Sequence, residues 1–257
     1  MSPSRNRAKS PAAVGKIRLD LLLVERGLAE SRGRAQAMLL AGAVKVGGRL
    51  AAKAGALVAS DAVIELIGAP LPYVSRGGLK LEGALADFQV FPAGLVCLDA
   101  GSSTGGFTDC LLQRGAARVY AVDVNTRQLD WKLRQDVRVV PVERNARLPL
   151  RSSIPEDVDL VTVDVSFISV AKVLPSLAAL AKSGAVFLVL VKPQFELQRG
   201  DVGKGGIVRD PALHREAVER VRKAAVAAGL EVLDVKPSRL TGAEGNQEFF
   251  LHARKSP

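Results

Sequence analysis

Cysteine, histidine and tryptophan are scarce in this 257-residue chain, at two, two and one. Cys97 and Cys110 lack CxxC spacing, which excludes a zinc ribbon and a dithiol redox motif; two reduced, buried thiols are the expectation. His214 and His252 stand far apart in sequence and suggest no metal site. Long apolar runs are missing too. A membrane span needs about 18 such residues, and the longest candidate, Ala185-Val-Phe-Leu-Val-Leu-Val191, is of strand length. Residues 1–16 contain no acid and no apolar core, only Arg5, Arg7, Lys9 and Lys16 among polar and small residues. They read as a flexible basic tail, not a secretory signal, and the chain as cytoplasmic. Against these absences stand 48% apolar residues, enough for a globular core, and a net charge of +10. That charge favours an anionic partner, nucleic acid ahead of a membrane surface.

Residues 17–67 follow one local grammar. Ile17–Arg26 has helical apolar spacing and stops at Gly27; Ser31 is placed to cap a second helix running to Leu40, before Ala41-Gly42. Short strand-like pieces follow at Val44-Lys-Val46, Leu57-Val58 and Val63-Ile-Glu-Leu66, with a turn at Gly47-Gly48. Arg32 and Arg34 open the second helix, and Lys45 and Arg49 flank the turn, positions suited to phosphate contacts. The pattern Arg18-Leu-Asp20, Gly27, Ser31-Arg32, Ala35, Gly42, Val44–Gly48 and Asp61 resembles the S4-type RNA-binding domain. That resemblance implies recognition of folded RNA by shape and backbone. A linker spans 68–76, with Pro70 and Pro72 favouring an extended path and Arg76 at its end.

Residues 77–257 change grammar. After an amphipathic run from Lys80 to Phe88, strand candidates at 95–99, 118–123, 137–142, 158–163, 185–191, 231–236 and 247–253 alternate with helices near 106–114, 126–133, 168–182 and 211–228. Gly115, Gly184 and Gly229 are read as helix stops. The expected fold is α/β: a Rossmann-like, seven-stranded, mostly parallel sheet with a late antiparallel pair, preceded by the small α+β unit.

The turn "LDAGSSTGGFTD" (98–109) joins the first of these strands to its helix. A phosphate-binding P-loop would need Lys where Phe107 stands, and a dinucleotide fingerprint would need Gly where Ser103 stands. Asp99 at the strand end would also disfavour a pyrophosphate. S-adenosylmethionine fits better, because it carries an ammonium, a carboxylate and a sulfonium but no phosphate. Asp99 is expected to help hold the ammonium end, directly or through water. Gly101, Ser102, Gly105, Gly106 and Phe107 are expected to present backbone to the methionine portion. Asp123 at the next strand end would take the ribose hydroxyls, and Asn145 would reach the adenine.

Acceptor chemistry belongs beyond the fourth and fifth strands. Neither an Asn/Asp-Pro-Pro motif nor a thiol occurs there; Asp164 and Lys192 do, with Glu248 in the last strand and Lys80 ahead of the sheet. Lys80-Asp164-Lys192-Glu248 resembles the tetrad of FtsJ-type ribose 2′-O-methyltransferases. In that reading Lys192 is the base, Lys80 positions the target or steadies the developing oxyanion, and the two acids orient the lysines. Together, the S4-type module, "YVSRGGLKLEGAL", "LDAGSSTGGFTD", "DVSFIS", "LVKPQFE" and "GNQEFF" resemble the TlyA family, also labelled hemolysin. The resemblance implies S-adenosylmethionine-dependent 2′-O-methylation of cytidines in ribosomal RNA or ribosomal subunits. Leu71-Pro-Tyr-Val74 departs from the Arg-x-Trp-Val-like linker of well-studied members. The competing readings are a membrane-active hemolysin and an RNA-binding protein on a catalytically inactive methyltransferase fold.

Overall fold

The computed structural model describes residues 15–29, 31–40, 42–51, 53–67, 72–242 and 245–257. Most of the basic tail and linker positions 68–71 therefore lie outside the described residues. The chain divides into two compact units at residues 69/70.

The first unit strings together β1 (Lys16–Arg18), α1 (Leu19–Glu25), α2 (Arg32–Leu40), β2 (Val44–Val46), β3 (Arg49–Leu50), β4 (Leu57–Ala59) and β5 (Ile64–Leu66). Ile17 and Arg18 are strand, not helix as the apolar spacing suggests, because β1 pairs antiparallel with β4. Ser31 does cap α2: its Oγ accepts from the Arg34 N–H at 3.2 Å. β3 and β5 flank β2, closed by the Gly47-Gly48 hairpin. Leu19, Leu23, Ala35, Leu39 and Val44 fill a small core of their own.

The second unit carries α3 (Arg76–Asp87), β6 (Val96–Ala100), α4 (Gly106–Gln113), β7 (Arg118–Asp123), α5 (Trp131–Gln135), β8 (Val139–Glu143) and β9 (Val158–Val163). It continues through α6 (Leu174–Ala178), β10 (Ala181–Val191), α7 (Pro193–Glu196), α8 (Pro211–Ala227), β11 (Leu230–Pro237) and β12 (Phe249–Lys255). The seven strands order as β11-β12-β10-β9-β6-β7-β8; β12 runs antiparallel to both neighbours and the pairs from β10 to β8 are parallel. Side chains alternate between two cores. Leu98, Val122, Val161 and Val189 face the α6 and α8 side, while Cys97, Val119, Leu160 and Leu188 face the α3 and α4 side. Burial on both faces is why these strands read as near-continuous apolar runs.

Two helix expectations shrink. Around 126–133 the chain forms a 3-10 turn at Thr126–Gln128 and then the short α5, capped by Asp130. Around 168–182 it forms a 3-10 turn at Val170–Lys172 and then only α6. Gly184 stops no helix: it lies within β10 at φ +79°, where the register with β9 shifts between Ala181 and Val186.

Candidate functional site

β6, β7, β9 and β10 end on one edge of the sheet, and a cleft of about 260 Å³ opens there beside Gly101, Asp123, Asn145, Val165 and Ser166. Crossing the β6–β9 boundary, the Asp164 N–H donates to the Ala100 carbonyl at 2.9 Å. The backbones are so close that a Cβ on Gly101 would sit 2.3 Å from the Asp164 carbonyl oxygen. Gly101 is thus required by protein packing, and its bare backbone also lines the cleft.

Asp123 ends β7 half-buried at the cleft. Its Oδ2 accepts from the Ser103 N–H at 2.9 Å and its Oδ1 from the Asn125 N–H at 3.0 Å, which fixes the carboxylate and leaves lone pairs for further donors. Asn145 is exposed and lines the cleft, with its Oδ1 accepting from the Arg147 N–H at 3.0 Å. Val122, Val165, Ile168 and Val173 supply apolar wall. A flat apolar ring with vicinal hydroxyls fits these surroundings.

The rest of the glycine turn is arranged differently from expectation. Asp99 has no exposed surface; its carboxylate accepts from Thr108 Oγ1 at 2.7 Å and Thr162 Oγ1 at 3.2 Å. Burial pushes its pKa up to about 7. Asp99 is sealed from the cleft and ties the start of α4 to the sheet. Gly105, Gly106 and Phe107 are buried too. A Cβ on Gly105 would meet Leu133, one on Gly106 would meet Ser75 and the Gly78 amide, and the Phe107 ring stacks near Phe250 at 6.1 Å. They pack protein against protein. Ser102 is buried with its Oγ unpartnered, while Ser103 is exposed and Thr104 half-exposed.

The four acceptor-side residues do assemble, as two ion pairs. Lys192 follows β10, and its Nζ reaches Asp164 Oδ1 at 2.5 Å and donates to Ser166 Oγ at 2.8 Å. Lys80, from α3, pairs with Glu248 Oε2 at 2.5 Å. The β10–β12 register, with Val191 opposite Phe249, sets Lys192 and Glu248 at neighbouring strand ends. Lys192 is 9% exposed and Glu248 2%, so both pairs are largely screened from water.

Three nearby residues escaped the sequence reading. Ser166 holds Lys192; its signal was a hydroxyl two residues after Asp164. Phe167 adopts φ +64°, a strained conformation for a non-glycine residue, with its side chain 91% exposed and its ring 5.3 Å from that of Phe195. Glu196 is buried and accepts from Ser169 Oγ at 2.6 Å and the Val170 N–H at 2.8 Å, tying the loop after Asp164 to α7. Burial raises the Glu196 pKa.

In the first unit, two expected RNA contacts have structural duties. Arg18 and Arg32 both grip the fully buried Asp20, at 2.9–3.0 Å, with Gln36 at 3.1 Å. Both arginines remain partly exposed, at 41% and 54% of the side chain. Arg34 is half-buried and engaged, Lys45 half-buried in β2, and Arg49 exposed in β3. Arg76 opens α3 in the other unit. Among the described residues no helix is long and apolar enough to cross a membrane, and no cluster of three metal-ligating side chains occurs.

The FtsJ-like methyltransferase family matches residues 73–255 and the S4 domain residues 17–64. The 16S/23S rRNA (cytidine-2'-O)-methyltransferase TlyA of Mycobacterium tuberculosis is 47% identical over 93% of this chain and 90% of its own. A protein named Hemolysin A, from Brachyspira hyodysenteriae, is 41% identical over 92% of this chain and 99% of its own. A solved structure from Streptococcus thermophilus superposes with a TM-score of 0.74 at 42% identity, over 95% of this chain and 90% of that one. With a cleft of this form, a Lys192–Asp164 pair joined to it through Ser166 and an S4 domain earlier in the sequence, the chain belongs to the TlyA group of the FtsJ-like methyltransferases.

Proposed function

We infer that the protein is an S-adenosylmethionine-dependent rRNA (cytidine-2′-O)-methyltransferase of the cytoplasm, acting on ribosomal RNA or ribosomal subunits. The observation that carries this reading is the pairing of Lys192 with Asp164, joined to the cleft wall through Ser166, with Lys80 and Glu248 paired at the neighbouring strand end. When bound, S-adenosylmethionine supplies an electrophilic methyl group. Asp123 would hold its ribose hydroxyls, Asn145 would border its adenine, and Gly101 would let its chain lie against the backbone.

A ribose hydroxyl becomes a competent nucleophile only as it loses its proton. Lys192 Nζ, held by Asp164 and Ser166, is the group to take that proton as the free amine, after the ammonium proton of the resting ion pair has passed to solvent. Lys80, aimed by Glu248, steadies the developing oxyanion and positions the target. The exposed Phe167 ring offers a face on which an unstacked base can rest. Arg34, Lys45, Arg49 and Arg76, with the exposed parts of Arg18 and Arg32, would meet the RNA backbone.

The test uses purified small and large ribosomal subunits, a radiolabelled methyl donor, and mapping of the modified ribose. The wild type should label at least one subunit on a cytidine 2′-oxygen. Lys192→Ala should bind the cofactor within about twofold of wild type yet lose transfer by about a hundredfold or more. Normal turnover by that variant, or no labelling by the wild type, would sink the reading.

A further inference from the structure

The segment from Arg199 to Arg209 connects α7 to α8. It leaves α7, whose N-cap is Lys192, and enters α8 at Asp210. Its sequence, Arg-Gly-Asp-Val-Gly-Lys-Gly-Gly-Ile-Val-Arg, has four glycines, so little in its own side chains defines its path. Yet the path is defined from outside. Asn246, 1% exposed, accepts from the Val208 N–H through Oδ1 at 2.9 Å and donates from Nδ2 to the Gly206 carbonyl at 2.8 Å. One carboxamide thereby satisfies a backbone donor and a backbone acceptor two residues apart. His214 adds a third hold, donating from Nε2 to the Val208 carbonyl at 2.9 Å. Val208 itself is 3% exposed.

Asn246 also anchors the turn that leads into β12. Its own carbonyl accepts from the Gly242 N–H at 2.8 Å, and it stands two residues before Glu248, the partner of Lys80. Gly242 in turn leaves room for that glutamate: a Cβ there would lie 2.8 Å from Glu248 Oε1. A buried carboxamide spent wholly on a glycine-rich strap is costly to leave half-satisfied, which fixes the strap in one register relative to the acid–lysine pair.

We propose that Asn246 is a positioning residue that latches the 199–209 strap to the turn leading into Glu248, so that the strap meets the RNA acceptor preordered. This rests on the rRNA methyltransferase reading for its substrate, but the latch itself can be tested without one. The role concerns RNA engagement, not cofactor binding or the chemical step, so it should separate KM for RNA from kcat.

The test compares wild type, Asn246→Ala and Asn246→Asp as full chains. Asn246→Asp keeps the acceptor for Val208 but loses the donor to Gly206, and it decides the matter if the alanine variant does not fold. Limited trypsinolysis within 199–209 should speed up about tenfold in Asn246→Ala and by less in Asn246→Asp. KM for the ribosomal substrate should rise about five- to tenfold, with kcat and cofactor Kd within about twofold of wild type. Unchanged strap cleavage in both variants overturns the latch. A fall in kcat with KM unchanged overturns the positioning role and moves Asn246 to the Glu248 pair. If the wild type methylates no ribosomal RNA, the substrate reading fails, while the trypsin comparison still judges the latch.

Discussion

Asp99 is the residue whose behaviour departs most from its place in the sequence. A strand-end carboxylate beside a glycine turn suggests a ligand contact, but Thr108 and Thr162 take both of its oxygens inside the protein. Its native pKa, pushed up to about 7, lies above that of the unfolded chain near 4. Between those values the native state keeps a proton that the unfolded chain has released. Stability contributed by this group is therefore full below about pH 4 and falls as pH rises toward about 7, by about 1.4 kcal/mol per pH unit. Asn at this position keeps the shape and hydrogen bonding without the charge. Asp99→Asn should gain thermal stability over wild type as pH rises from 5 to 7, and the gap should level off above that. A gap that is flat with pH, or a wild type more stable at pH 7.5, would contradict the account. Asp123 shows the contrast: its carboxylate is held by backbone amides at the cleft and stays reachable. Whether a strand-end acid points in or out depends on partners nine and 63 residues away, which the turn itself does not announce.

At the scale of elements, α3 and α4 meet through glycine. Gly106 opens α4 against Ser75, Gly77 and Gly78, and the first two atoms a Cβ would meet lie at 2.2 and 2.9 Å. Gly106→Ala should therefore overpack the junction, at about 1–3 kcal/mol. In a unit of this size that is about 3–10 °C of melting temperature. Because Lys80 rides on α3, methyl transfer should fall along with stability, a pairing that scanning calorimetry and a turnover assay would read together. The strands at 118–123 and 158–163 were legible to the residue, since burial on both faces writes an apolar run into the sequence. The helices expected near 126–133 and 168–182 were not. Their lengths are set by distant contacts, such as Glu196 holding Ser169 and Val170, and by Leu129 and Leu133 packing under Gly105. The order of Lys80, Asp164, Lys192 and Glu248 along the chain suggested one group, but their arrangement as two separate ion pairs needed the sheet register.

Over the whole molecule, the two units have separate cores, so each can lose its own stability. Asp20 is the point on which the small unit turns. Two arginines, one glutamine and the Leu21 amide converge on its buried carboxylate, and they hold its pKa well below the usual carboxylate range. A depressed native pKa means stability that is present above about pH 4 and lost as pH falls through the acid range. Asp20→Ala would leave Arg18 and Arg32 facing each other without a counter-charge, next to a core of only a few large side chains. The expected result is a small unit that melts early or not cooperatively, while the larger unit keeps its transition. Affinity for ribosomal RNA should drop about tenfold or more, and the cofactor Kd should stay within about twofold of wild type. Parallel loss of cofactor binding would mean that the units do not act independently. Unchanged RNA affinity with a demonstrably unfolded small unit would remove the S4 domain from substrate recognition and leave that role to the methyltransferase unit.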